Sequence, residues 1–250
     1  MVAETVQVPS VVPHRRVQMV ERLAGAGGLI FAGTVLIQNI VRASSPSFTA
    51  TPATVTAYFA DHRAAGLLPL GLYPLGMLGL FCFAAGIWTR AGQLPSRWWA
   101  SLGVLAVVII AALFAVVNII EIVIAAQGEQ LVSSPQVVRA LWAIHSAAFG
   151  LNLAAIAIAL LGLSRAARAT GLIPRLLALI AIPGAACLLL AAIFTVAIVN
   201  GGNWLYLGYL GFATWGILLI VAGISLVTGR RPAAPARTIT DATPPFELRG

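Results

Sequence analysis

Six runs of apolar residues, at 23–41, 64–88, 98–126, 137–163, 176–199 and 204–227, take up most of this chain. At 1.5 Å per residue about 20 helical residues cross the ~30 Å hydrocarbon core of a bilayer, so each run is long enough to span one. Lipid offers no hydrogen bonds to backbone N–H and C=O groups. A chain built this way must therefore satisfy its backbone internally, as a bundle of helices does. The residues are 60% hydrophobic and 9% charged, against about 45–50% and about 25% in a water-soluble domain. No soluble core of this size could hide so much apolar surface. The expected fold class is all-α: a polytopic membrane helix bundle of about six transmembrane helices with both termini cytoplasmic.

The arginines give the orientation. The net charge is +8, and all fifteen basic residues are Arg. They sit between or outside the apolar runs and form no basic stripe interleaved with aromatics, which argues against nucleic acid as a partner. Arg15, Arg16, Arg22, Arg90, Arg97, Arg165, Arg168, Arg175, Arg230, Arg231, Arg237 and Arg249 fall on one side of the alternating spans. Only Arg42, Arg63 and Arg139 fall on the other. Twelve against three places the first group, and both termini, in the cytoplasm. No apolar h-region precedes the early arginines, so no cleavable signal peptide is expected and the first span directs insertion.

Three segments follow: a cytoplasmic N-terminal segment at 1–22, a six-helix transmembrane domain at 23–228, and a disordered cytoplasmic tail at 229–250 rich in Pro, Thr, Ala and Arg. In the external loop after the first span, Thr51-Pro52 reads as an N-cap and first helical residue, with Val55, Tyr58 and Phe59 on one face. This is either a short helix on the outer surface or an extension of the second span. Spans two, four and six each leave through Gly, then Arg, then Pro, a weak echo that shared needs at a cytoplasmic helix end explain without a repeat.

Small residues let membrane helices approach closely. Ala24, Gly28 and Ala32, with Gly25, Leu29 and Gly33 beside them, form one such ridge, and Gly208, Gly211 and Gly216 mark the last span. They serve packing within the chain or a homo-oligomer or partner interface. Pro69, Pro74 and Pro183-Gly184 are expected to kink their helices. Cys82 and Cys187 lie inside apolar runs and read as small buried hydrophobes rather than a disulfide.

Ionisable groups inside a span are costly and demand partners. Glu121, Arg139 and His145 are three, at roughly 8, 3 and 12 Å below the outer surface at 1.5 Å per residue. Asn118 shares a face with Glu121, and Asn152 with His145. Glu121 can pair with His145 or with Arg139. Gln38, Asn39, His62, Asn200, Asn203, Tyr206 and Tyr209 add polarity in the same outer half. The candidate ligand-binding residues are Asn118, Glu121, Arg139, His145, Asn152 and His62, with Trp98, Trp99, Trp142 and Trp204 as interfacial aromatics. No zincin, P-loop, nucleophile-elbow or haem motif occurs, so no cofactor is expected. A metal held by His62, Glu121 and His145 would rest on composition alone.

The run from Pro52 through Val55, Tyr58, Phe59, Asp61, His62 and Arg63, with Gly171, Pro174 and Arg175 before the fifth span, resembles a broad group of six-helix integral membrane proteins of GC-rich actinobacteria. The likeness covers about residues 21–228. It implies six helices, the topology above and a bacterial inner (plasma) membrane. The group has no assigned activity, so no binding residue carries over. Three functions remain open: binding or transport of a small or lipophilic molecule through an outer-leaflet polar pocket, an accessory subunit packing through small-residue faces, and an intramembrane enzyme using Glu121 and His145.

Overall fold

The computed structural model describes residues 14–92 and 95–229. Eight helices follow in order: α1 (His14–Arg42), α2 (Pro52–Asp61), α3 (Arg63–Ala91), α4 (Ser96–Leu131), α5 (Pro135–Ala169), α6 (Arg175–Ile193), α7 (Thr195–Val199) and α8 (Leu205–Thr228). Six of them, α1, α3, α4, α5, α6 and α8, are long and apolar enough to cross a membrane. The all-α polytopic bundle is therefore what the chain forms. The expected cytoplasmic tail lies outside the described residues from 230 onward, as does the start of the N-terminal segment, 1–13.

The six long helices pack in sequence order around a ring, α1 on α3, α3 on α4, α4 on α5, α5 on α6 and α6 on α8, and α8 closes it against α1. Short turns make consecutive spans antiparallel neighbours, so both ends of the described chain lie at one end of the bundle. Of the most apolar stretch of α5, 67% is buried, compared with 33–44% for the other spans. That burial draws α5 inward, where it also touches α3, α7 and α8. The outward faces carry Leu36, Leu78, Leu105, Leu176 and Leu210, all largely exposed, as helices bathed in lipid require.

Small residues set the closest approaches. A Cβ on Gly27 would sit 2.6 Å from the Gly79 carbonyl oxygen, and one on Gly79 2.5 Å from that of Gly27, so α1 and α3 meet backbone to backbone. Gly25 meets Gly223 of α8 in the same way, at 2.5 Å, while Gly28 receives the Phe83 ring and Gly86 faces Ala24. Gly211 packs on Gly184 and Leu188. The α1 ridge is thus consumed on two sides inside the monomer. Gly33 and Gly216 have open space instead.

Pro69 and Pro74 lie inside α3 and Pro183 inside α6, and both helices continue past them. Several other expectations need correction. Non-helical dihedrals appear at Gln127 of α4 (φ −114°, ψ 16°), near its outer end. The fifth apolar run is not one helix. It stops at Phe194, whose ring stacks on Trp204 at 3.9 Å, and resumes as α7. Cys82 is exposed, because the outer face of a membrane helix is as apolar as its core; both cysteines are free. The segment after the first loop is a separate helix, α2. Thr51 caps it by accepting from the Thr54 N–H, and His62 (φ −116°, ψ 35°) divides it from α3. Its Val55 and Phe59 are buried against Ile120, Ile124, Val138 and Trp142, so α2 roofs the ends of α4 and α5 that their connecting turn joins.

Candidate functional site

Beneath that roof, three spans contribute to one polar knot. Glu121 of α4 is buried and uses both carboxylate oxygens: Oε1 lies 3.0 Å from His145 Nε2 of α5, and Oε2 accepts from the Arg42 guanidinium of α1 at 2.8 Å. Arg42 also donates to Asn118 Oδ1 at 3.1 Å, and Asn118 Nδ2 donates to the Phe114 carbonyl. Asn118 and Glu121 share a face three residues apart, which lets one guanidinium nitrogen, Nη2, donate to both. The helices α1 and α4 are not ring neighbours, so only a side chain as long as arginine's connects them there. Gln38, one turn before Arg42, donates to the Pro69 carbonyl of α3 at 2.8 Å and steadies that end of α1.

The roof holds the histidine in place. The indole of Trp142 stacks on the His145 ring (4.3 Å, 7° between planes) and donates from Nε1 to the Ser47 carbonyl at 3.0 Å. Phe48 lies 5.6 Å from the Phe149 ring, and Phe59 packs edge-on to Trp142. The loop between α1 and α2 is thereby fastened across the first turns of α5.

Against the sequence expectations, the structure joins Asn118, Glu121 and His145, and resolves the pairing of Glu121 towards His145. Arg139 is exposed on α5 and makes no ion pair among the described residues. Six residues from His145, it points about 120° away around the helix. His62 is exposed and stacks on Tyr58 at 4.9 Å, outside the knot. Among the described residues no three His, Cys, Asp or Glu side chains converge as a metal site would require. Trp142 is buried rather than an interfacial anchor. Arg42 enters unexpectedly, since as an external arginine it figured only in the topology count; its place four residues after Gln38, on the same helix face, was the available signal.

Beside the knot runs a narrow cleft of ≈ 40 Å³ lined by α1 (Val35, Gln38, Asn39, Arg42), α4 (Phe114), α5 (Phe149, Asn152, Leu153, Ile156) and α8 (Leu205, Gly208, Tyr209, Phe212). Two of its lining residues hold buried polar atoms without a partner in the protein: Arg42 Nε, a donor, and Asn152 Oδ1, an acceptor. His145 Nδ1 is a third such atom nearby. Buried polar groups are ordinarily satisfied, and leaving one unpaired costs about 1–3 kcal/mol. The rim carries Asn39 and Tyr209, both exposed, among the outward-facing Leu36, Ile40, Tyr206 and Leu210. The cleft thus opens sideways, between α1 and α8.

Fold and site together define a class: a six-span α-helical membrane bundle with an Arg–Glu–His knot in one half and a lateral cleft beside it. No protein-family model, no curated protein and no solved structure matches the chain.

Proposed function

We propose that this chain is a non-enzymatic membrane protein that binds a slender lipophilic molecule with a polar head, taken from the lipid through the cleft between α1 and α8. The observation carrying this reading is the pairing of an unmet donor, Arg42 Nε, with an unmet acceptor, Asn152 Oδ1, in one otherwise apolar cleft. A hydroxyl or amide head answers both. Phe114, Phe149, Phe212 and Leu205 suit an attached acyl or isoprenyl chain. At ≈ 40 Å³, against ~10–15 Å³ for one water, the cleft admits only the polar head and the first carbons of the chain, and the remainder lies outside it among Leu36, Ile40 and Leu210. Glu121, with both oxygens engaged, is poorly placed as a general base, which weighs against the enzyme reading. Of the small residues on α1 and α8, Gly25, Gly27, Gly28 and Gly211 are spent inside the monomer, leaving only Gly33 and Gly216 of those ridges open for an accessory-subunit contact.

Protein purified in mild detergent and extracted into organic solvent should yield one enriched lipophile by mass spectrometry. Asn152→Leu removes the acceptor while keeping the branched outline of the side chain and should lower its retention at least about tenfold, one hydrogen bond's worth. A bulk-lipid profile, or equal retention by Asn152→Leu, would sink the proposal.

Location in a bacterial inner membrane with the termini inside belongs to the same proposal and rests on the arginine distribution. In a background lacking Cys82 and Cys187, cysteines at Ser45, Gly128 and Gly202 should react with impermeant thiol reagents on intact cells. Cysteines at Gly92 and Thr170 should react only after lysis. The reverse pattern would overturn the orientation.

A further inference from the structure

At the end of the bundle where the described chain begins and ends, α5 turns into α6 through residues 170–174. Gly171 takes a left-handed conformation (φ 71°), and the Leu172 N–H donates to the Ala167 carbonyl at 2.8 Å. Leu172 and Ile173 are buried at 1% and 0% exposure, so the turn is pinned to the core. This fixed turn brings Arg165 and Arg168, three residues apart on α5, beside Arg175, the first residue of α6. With Ala178 and Leu179 they line a cavity of ≈ 320 Å³, within the ~300–1,000 Å³ range of small-molecule sites.

The charge of this cavity is uncompensated. None of the three arginines makes an ion pair among the described residues, and Glu21, the described acid at this end, is held by Arg90. Arg165 does lie over the Trp99 ring, 6.0 Å from its centroid, which orients it without neutralising it. Orientation of the chain needs arginines on this side of the membrane but does not need three of them around one concavity, where they repel one another. Directly beyond them the outer face of α6 presents Leu176, Leu179 and Ile180, at 67%, 49% and 43% exposure. Guanidinium forks above an exposed aliphatic face match a phosphate above acyl chains.

We infer that Arg165, Arg168 and Arg175 form a binding site for the phosphate headgroup of an anionic phospholipid, whose acyl chains lie along Leu176, Leu179 and Ile180. This site is at the opposite end of the bundle from the Arg42–Glu121–His145 knot and does not depend on what the lateral cleft binds. A soluble phosphate compound shares the headgroup chemistry but has no use for the aliphatic face.

The test is native mass spectrometry of delipidated protein titrated with phosphatidylglycerol, phosphatidylcholine or inorganic phosphate. Phosphatidylglycerol should bind more tightly than phosphatidylcholine, and millimolar phosphate should not displace it. Each of Arg165→Gln, Arg168→Gln and Arg175→Gln should weaken phosphatidylglycerol binding about fivefold, and the triple replacement roughly a hundredfold. Arg139→Gln, at the other end, should leave it unchanged. The single variants keep the test decisive if the triple variant, having lost part of its positive-inside signal, inserts poorly. Equal affinity for the two lipids, or single variants that bind like the parent, would overturn the inference. Displacement by inorganic phosphate would overturn the lipid assignment in favour of a soluble phosphate ligand.

Discussion

Replacing Arg42 with alanine should destabilise the bundle by about 3 kcal/mol, the lower end of the range for breaking a buried ion pair. The lower end applies because the Arg42 side chain keeps 19% exposure, whereas that of Glu121 keeps 7%. Two acceptors are left stranded, Glu121 Oε2 and Asn118 Oδ1. The α1–α2 loop and α2 cover these ends of α4 and α5 and limit the water that can reach the two acceptors. Arg139→Ala, which removes an equal charge from an exposed site, should change stability by no more than about 0.5 kcal/mol. Reversible unfolding in mixed micelles measures both. Pairing Arg42→Ala with Glu121→Gln in a double-mutant cycle should show coupling well above the ~0.5 kcal/mol typical of independent sites. Matching losses for Arg42→Ala and Arg139→Ala, with additive cycles, would show that the knot contributes nothing.

Gly27→Val and Gly79→Val should each cost about 3 kcal/mol, the upper part of the range for overpacking. The reason lies in what the new side chain meets. At both positions it runs into the partner helix's backbone carbonyl, at 2.6 and 2.5 Å from the first carbon, and a carbonyl in a helix cannot rotate aside. The two helices must separate, which loosens Phe83 over Gly28 and Ala24 against Gly86 as well. Gly33→Ala and Gly216→Ala have nothing within 4 Å and should stabilise by about 0.5–1 kcal/mol, because alanine loses less backbone freedom in a helix. The opposite signs make unfolding midpoints a sharp test. Equal tolerance at all four positions would mean that α1 and α3 do not meet at these glycines.

Apolar length and charge placement made the six spans readable, because lipid imposes both requirements on each helix separately. Helix contacts are a different matter. The pairing of Glu121 with His145 was half legible, since a short turn makes α4 and α5 antiparallel neighbours. Arg42 was not, because its partners lie 76 and 79 residues away on a helix that is not its neighbour in the ring. Trp142 was misread for a related reason. An indole near a helix end suits the membrane interface equally well, and only the return of Ser47 over α5 shows that it is covered. The end of α6 was not legible either, because it falls at Phe194, a residue with no helix-breaking chemistry of its own, whose ring stacks on Trp204.

The closed ring has one joint unlike the rest. Each other neighbouring pair of spans is consecutive in the chain and tethered by its connecting segment, but α8 meets α1 with no covalent link across the contact. During synthesis α1 emerges first and α8 last, so this joint is the final one to form. It is also uneven: Gly25 and Gly223 bring the backbones together near the chain termini, while the far end diverges into the cleft bounded by Gln38, Arg42, Leu205 and Gly208. Parting the two helices at that far end breaks no connecting segment among the described residues, and α1 at this edge carries one of the unmet polar atoms, Arg42 Nε. On the proposed reading of the cleft, this unfastened edge is where a lipophilic guest enters the circle of helices.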